Sequence, residues 1–547
     1  MLKLSAGPWR LVSTHSLRLS IDPSQQFHVE HHILLSRLKD VNSSYDRNLC
    51  CIQNTRKSIL EKIIAWVANG SEKIDGGNTY WLYGLPGIGK TTLAHSICAS
   101  LDDKEQLAGA FFCQRDDQEL RDPRSILPTL IHKLAILFPP FRSVVAESLR
   151  NYSNVAPESM PTLFLESIQK LPRLPKKSFV FVIDALDECG STPSRLGVLR
   201  ALKNATACVP WLKVIITSRQ EVDIQRFFDS PTQSSHLRCD LTADEETASD
   251  LRIFAEYRFN KVASSRSLRS PWPEPLLLDR VISRAAGLFI FIETLALLGH
   301  CYEPTKLLGA TLQDSSSPGL TALYALYSSI IRARRVHRNA EFRRMIGVLL
   351  ITAPYRPLCE ETIAELAGVR PDVVKIWVDD LGSMFYRDER ASGGIRVRHL
   401  SISNFFVSDY CQADYQVNLR EANAQLGIAC LDKMVEQLRF NICGLEDSRL
   451  TNADVKGLAS RIKENISDAL QYSSLYWSNH LCFSPDTREG RLLDILRKFF
   501  EGPNALYWVE VLSIMGMLGI GVLRLRELTS KLIKVSKAPA WGIRRGF

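Results

Sequence analysis

Residues 84–91 read Gly84-Leu85-Pro86-Gly87-Ile88-Gly89-Lys90-Thr91, and this octet constrains the fold more than any other stretch of the chain. Its glycines let the backbone curl so that successive N–H groups converge on one point. The run before it, Thr79-Tyr80-Trp81-Leu82-Tyr83, is short and apolar, as a buried strand would be, and Lys90-Thr91-Thr92 opens a helical pattern. Strand, glycine turn and helix N-terminus in that order cradle a polyphosphate, because curled amides and the positive end of the helix dipole face the same anion. Gly84, Pro86, Gly87, Ile88, Gly89, Lys90, Thr91 and Thr92 are therefore candidate nucleotide contacts. Lys90 is expected on the β- and γ-phosphates, and the Thr91 hydroxyl on Mg2+.

A triphosphate site also needs acids at the same sheet edge. The stretch "FVFVIDALDE" (179–188) is an apolar strand that ends in Asp184, placed to hold the Mg2+ shell. Asp187 and Glu188 follow closely enough for one of them to position or deprotonate an attacking water; the alternative is two surface acids after a strand. In "WLKVIITSR" (211–219), Arg219 follows another buried strand and is a candidate for stabilising charge on the terminal phosphate, or else a solvent-facing residue. Further strand and helix patterns surround these: a strand at 108–117, a helix at 124–138 despite Pro128, and a helix at 193–206. A lead-in helix at 56–69 places Ile59, Ile63, Trp66 and Val67 on one face. Strands apolar throughout with helices between them imply a parallel sheet covered on both faces. The expected fold is an α/β P-loop NTPase core.

Beyond about residue 240 the patterns become helical. Helices are expected at 244–262, 276–302, 321–351, 359–369 and 370–385, with 313–321 as a linker and 386–400 as a glycine-turned hairpin. Two short helices before a hairpin suggest a winged helix. The expected organisation is an irregular extension (1–45), the NTPase domain with its lead-in helix (46–240), a helical lid (241–312), a winged-helix domain (321–410) and an all-α region (411–547).

The net charge of +9 is concentrated. Segment 332–344 has six arginines against one glutamate, and 524–545 has seven Lys or Arg against one glutamate. Both are expected as solvated helix faces, with an acidic partner or membrane surface as the alternative. Thirteen scattered cysteines without a Cys-x-x-Cys pair exclude a disulfide framework and a zinc site, and suit reduced thiols in the cytoplasm. The apolar run 511–523 has thirteen residues, fewer than the roughly 20 that span a bilayer, so a buried helix is expected there. Residues 1–21 are basic and free of acids, as in a transit peptide, but Gly7-Pro8 interrupts any amphipathic helix, so an irregular extension is the preferred expectation.

The spacing of "GLPGIGKTT", "FFCQRDD", "FVIDALDEC" and "ITSRQE" resembles the NACHT branch of the STAND NTPases, in a fungal, basidiomycete-like type with a nephrocystin-like N-terminal region. "AAGLFIFIETLALL", "NICGLE" and "YSSLYWSNHL" resemble that family's helical segments, so the resemblance runs over roughly residues 45–525. It implies a switch: ATP or GTP bound with Mg2+, slow hydrolysis, a change of domain arrangement, and protein partners or a homo-oligomer in the active state. It implies roles in non-self recognition or programmed cell death. It also implies that His399, in "IRVRHLSISNFF", touches the bound diphosphate and holds the resting state, although Leu400 and Asn404 depart from the family's motif.

Two other classes compete with the switch. A turnover enzyme, such as a kinase or motor ATPase, would need an acceptor motif that is not apparent; a degenerate scaffold would keep the fold without the chemistry. Nucleic-acid binding through the winged helix is disfavoured, because "PDVVKIWVDDL" (371–381) carries Asp372, Asp379 and Asp380 against Lys375 alone.

Overall fold

In a computed structural model, residues 31–537 are described except 32, 39–40, 69–76, 151–155, 172–174, 176, 231–235, 269–270, 300–304, 306–307, 310–311, 313–316, 335–339, 389–392, 448 and 485–489. The basic segment 1–21 and residues 313–316 of the 313–321 linker lie outside the described residues.

Five strands form one parallel sheet: β1 (Thr79–Tyr83), β2 (Leu107–Phe112), β3 (Phe179–Asp184), β4 (Leu212–Ser218) and β5 (Leu237–Asp240). Their order is β2-β3-β4-β1-β5. β3 and β4 are buried along their whole length, which is why they read as unbroken apolar runs. Alternation still sorts their side chains. Phe179, Phe181 and Ile183 of β3 enter one core, and Val180 and Val182 enter the core on the other face.

The first of these cores is covered by α3 (Ile126–Leu137), α4 (Pro139–Arg150), α5 (Met160–Gln169), α6 (Thr192–Cys208) and α7 (Val222–Asp229). The second is covered by α1 (Lys57–Ala68) and α2 (Lys90–Asp102). Pro128 sits in the first turn of α3, where its missing N–H breaks no helical bond. The lead-in helix buries Ile59, Ile63, Trp66 and Val67, the face its spacing implied. Part of the N-terminal extension is also packed: Leu35, Leu38 and Val41 join the first core, and Phe112 N–H donates to Ser43 Oγ at 2.6 Å.

Helices follow: α8 (Thr247–Arg266), α9 (Pro275–Ala285), α10 (Phe289–Leu298), α11 (Leu320–Ala333), α12 (Ala340–Thr352), α13 (Glu360–Ala367) and α14 (Pro371–Asp380). Then β6 (Phe385–Asp388) pairs antiparallel with β7 (Gly394–Val397). The chain ends in α15 (Leu400–Val407), α16 (Leu419–Gln437), α17 (Leu458–Asn465), α18 (Asp468–Phe483), α19 (Gly490–Glu501), α20 (Asn504–Ile514) and α21 (Leu518–Lys537). One continuous apolar cluster runs through this region from Leu251 to Leu528.

Three helix expectations are corrected. The pattern at 276–302 is two helices, because Ala286 (φ +44°) and Gly287 (φ +91°) turn left-handed between α9 and α10. The pattern at 321–351 divides into α11 and α12. The apolar run 511–523 is not one buried helix: it turns at Gly516 (φ +69°), and the residues after the turn are exposed.

Candidate nucleotide site

The glycine loop joins β1 to α2, and its conformation needs the glycines. Gly87 has φ +82° and Gly89 has φ +94°, values that L side chains avoid. A Cβ at Gly87 would also lie 2.2 Å from Ile290 Cγ2. The first turn of α10 presses on the loop at this point, and Ile290 N–H donates to Gly87 O at 3.2 Å. Lys90 Nζ curls back over the loop and donates to Gly84 O (2.9 Å) and Leu85 O (3.0 Å). Burial lowers its pKa to about 8, against the opposing pull of Asp187. Ile88 points its side chain into the core, so it meets a ligand only through its main chain. Thr92 contributes its carbonyl to Ser96 Oγ inside α2.

The strand order explains how distant segments meet here. Because β4 lies between β1 and β3, the ends of all three strands share one edge, about 5 Å apart from strand to strand. Asp184, at the tip of β3, is buried and accepts from Thr217 Oγ1 of β4 at 2.5 Å. The Thr91 hydroxyl also reaches this carboxyl, and burial raises its pKa while both hydroxyls oppose the rise. Thr217 Oγ1 in turn accepts from Ala185 N–H at 2.9 Å, which pins the left-handed turn after the strand.

Asp187 is committed to Arg219. It accepts from Arg219 N–H at 3.0 Å, and its other oxygen lies 3.3 Å from Arg219 Nε. Arg195 holds the same turn by donating to Asp187 O at 3.0 Å. Glu188 has no such cation partner. Burial, and then the nearby Asp187, push its pKa up to about 7, and Arg115 N–H contacts its Oε2 at 3.5 Å. Of the two acids, Glu188 has the freer oxygens and the proton affinity of a base near neutrality.

His399 comes from far along the chain to the same place. Its Cε1 is 3.7 Å from where a Gly87 Cβ would stand. It caps α15: Nδ1 accepts from Ser401 N–H at 3.1 Å, and Ser401 Oγ continues to Tyr327 OH at 2.8 Å. With Nδ1 accepting, the neutral ring carries its proton on Nε2. Burial, with Arg219 and Lys90 nearby, lowers its pKa to about 4, so the ring is neutral at pH 7.

Two links were not foreseen from the sequence. Arg56, buried just before α1, donates to Ile88 O (3.0 Å), pairs with Asp244 (2.8 Å) and bonds Thr247 Oγ1 (2.8 Å). Its guanidinium also lies over the Phe289 ring at 5.3 Å. It ties the glycine loop to α8 and α10. The second link is the loop after β2: Arg396 of β7 donates to Asp116 O at 3.2 Å, and the Arg121 guanidinium lies 5.1 Å from the Tyr355 ring centroid. Lone arginines of this kind carry no motif in the sequence.

The residues fit a magnesium-bound polyphosphate. Glycine amides and a buried cation suit phosphate oxygens, while the hydroxyl of Thr91 beside the carboxyl of Asp184 is a hard-oxygen pair of the kind Mg2+ takes. Among the described residues, no cluster of three or more His, Cys, Asp or Glu forms a separate metal site.

The sequence profile of the nephrocystin 3 N-terminal family matches residues 54–219. A search of curated proteins finds no match. Solved structures with partial similarity include a Walker-type ATPase of Pyrococcus abyssi (11% identity, TM-score 0.30, covering 68% of this chain and 99% of that one). Cdc6p from Pyrobaculum aerophilum is also similar (12%, 0.31, 68% and 97%), as is the Aeropyrum pernix ORC1 protein in complex with DNA (14%, 0.29, 66% and 94%). These are distant likenesses, and the loop, the acid-tipped strand and the matched segment carry the weight. The chain has a P-loop NTPase fold, with a segment similar to the N-terminal region of nephrocystin 3.

Proposed function

We propose that this protein is a nucleotide-operated signalling switch of the NACHT type, holding ATP or GTP between the glycine loop and the tips of β3 and β4. The observation that carries the proposal is the meeting of Ile290 and His399 at Gly87. The first turn of α10 touches the phosphate loop, and His399, from the second half of the chain, lies beside it. A ligand in that loop therefore has different contacts in closed and opened arrangements, and that difference is what shifts a conformational equilibrium.

In this proposal the amides of the loop and Lys90 bind the phosphates, and Arg219, oriented by Asp187, faces the terminal one. Glu188 takes a proton from an attacking water, and His399 donates from Nε2 to a phosphate oxygen in the resting state. Thr91 and Asp184 would hold Mg2+, which supplies charge neutralisation at the β- and γ-phosphates. The helices α11 to α15 with the β6–β7 hairpin (321–410) act as the winged-helix domain, and α8 to α10 as the lid. Assembly with protein partners or further copies in the open state and roles in non-self recognition or cell death rest on the family resemblance, and a cytoplasmic setting on the scattered cysteines without a Cys-x-x-Cys pair.

The experiment pairs small-angle scattering in ADP and in a non-hydrolysable triphosphate with steady-state hydrolysis. A switch gives a larger radius of gyration with the triphosphate and turnover well below one per second. Identical scattering in both states, with many turnovers per second, contradicts it and favours a turnover NTPase.

A further inference from the structure

The turn at Gly516 sends an apolar segment outward. Met517, Leu518, Ile520, Val522 and Leu523 are each between 38% and 59% exposed. Within 517–523 only Gly521 packs inward, where a Cβ would stand 2.3 Å from Leu512 Cδ1. Leu525 and Leu528 continue that inner face of α21 at helical spacing. The aliphatic tip gives way within one turn to Arg524 and Arg526, and the same helix continues through Lys531, Lys534 and Lys537. The one acid in 511–537 is Glu527, which Arg524 Nη1 contacts at 2.9 Å.

The geometry points to a peripheral docking surface for an anionic lipid bilayer. The aliphatic tip of α21 enters the boundary between headgroups and acyl chains, and Arg524 and Arg526 meet lipid phosphates and carboxylates. Penetration is shallow, because among the described residues no helix is long and apolar enough to cross a membrane. Charge and apolarity together select this occupant. A nucleic acid would neutralise the arginines and leave five aliphatic side chains in water. A second copy meeting this face about a two-fold axis would bring Arg524 and Arg526 toward their own equivalents. The inference is independent of the switch.

Cosedimentation of the full chain with vesicles tests it, using phosphatidylcholine alone or with roughly 30% phosphatidylserine. The expected result is at least roughly tenfold more pelleting with phosphatidylserine, falling as salt rises. Val522→Asp/Leu523→Asp and, separately, Arg524→Glu/Arg526→Glu should each reduce it to the phosphatidylcholine level, with thermal melting and nucleotide binding unchanged. Should the aspartate pair disturb melting, Leu523→Ser with partial loss serves the same purpose. No preference for phosphatidylserine overturns the inference. So does pelleting that survives both aspartates, or binding to a short DNA duplex as tight as to the anionic vesicles. A drop in oligomer mass for the aspartate pair with vesicle binding intact would assign the face to self-association instead.

Discussion

Glu188 and Asp187 are neighbours with different assignments, because one is engaged by an arginine and the other is not. With its pKa near 7, Glu188 is ionised in larger fraction as pH rises from 6 to 8, so hydrolysis should climb across that window and level off above it. Glu188→Gln should keep nucleotide affinity and slow single-turnover hydrolysis by roughly 100-fold or more, measured by quench-flow. Linkage adds a stability readout. The folded pKa lies above the unfolded value of 4.5, so the folded state keeps a proton that the unfolded chain loses, and stability falls as pH rises from 4.5 through 7. Glu188→Gln should therefore raise the melting temperature at pH 8, by the equivalent of ~1–2 kcal/mol, and leave it unchanged near pH 4.5. Asp187→Asn should retain nucleotide but slow hydrolysis by roughly tenfold, because Arg219 loses its ionic anchor; the same rate as wild type would remove the positioning role.

Among the elements, α10 and α15 are the ones that the proposed switch assigns to closure. Gly87→Ala puts a methyl 2.2 Å from Ile290, on a backbone at φ +82°. The loop and lid must separate, at a cost of about 1–3 kcal/mol. The lid should become more protease-sensitive while the melting of the sheet domain holds; an unchanged digestion pattern would contradict the contact. In the proposed switch, His399 makes closure pH-dependent. Its pKa of about 4 in the buried position lies below the ordinary imidazole value of 6.5, so protonation favours an opened arrangement, and closure should weaken as pH falls from 6.5 toward 4. Scattering should show expansion at pH 5 relative to pH 7 for wild type, and His399→Ala should be expanded at both; equal dimensions for wild type at the two pH values would remove His399 from the latch.

The elements also show what was legible. β1, β3 and β4 were readable because burial on both faces forces apolar runs, and the glycine octet because curled amides demand it. The left-handed turn at Ala286-Gly287 was not, since the apolar spacing runs on through it and only the backbone shows the break. The 511–523 run was misjudged for a related reason: apolarity measures a preference for leaving water, not what is available to cover the residue. Arg56 and Arg396 could not be found at all, because an isolated arginine has no pattern until the fold brings carboxylates and carbonyls to it.

Across the molecule, the glycine loop is met from three directions: Arg56 and Ile290 hydrogen-bond to it, from before the sheet and from α10, and His399 stands beside Gly87 from beyond the hairpin. In the proposed switch, one loop both senses the ligand and carries the contacts to α10 and the α15 cap, so phosphate binding and domain arrangement would form a single equilibrium. All of it depends on the loop, Lys90 and Asp184 holding a magnesium-bound polyphosphate. The direct measurement is equilibrium titration of a fluorescent triphosphate analogue with and without Mg2+, on wild type, Lys90→Ala and Asp184→Asn. Saturable one-site binding is expected for wild type, weakened roughly 100-fold or more by Lys90→Ala and stripped of its Mg2+ dependence by Asp184→Asn. Equal affinity in wild type and Lys90→Ala, both folded by thermal melting, would contradict the account.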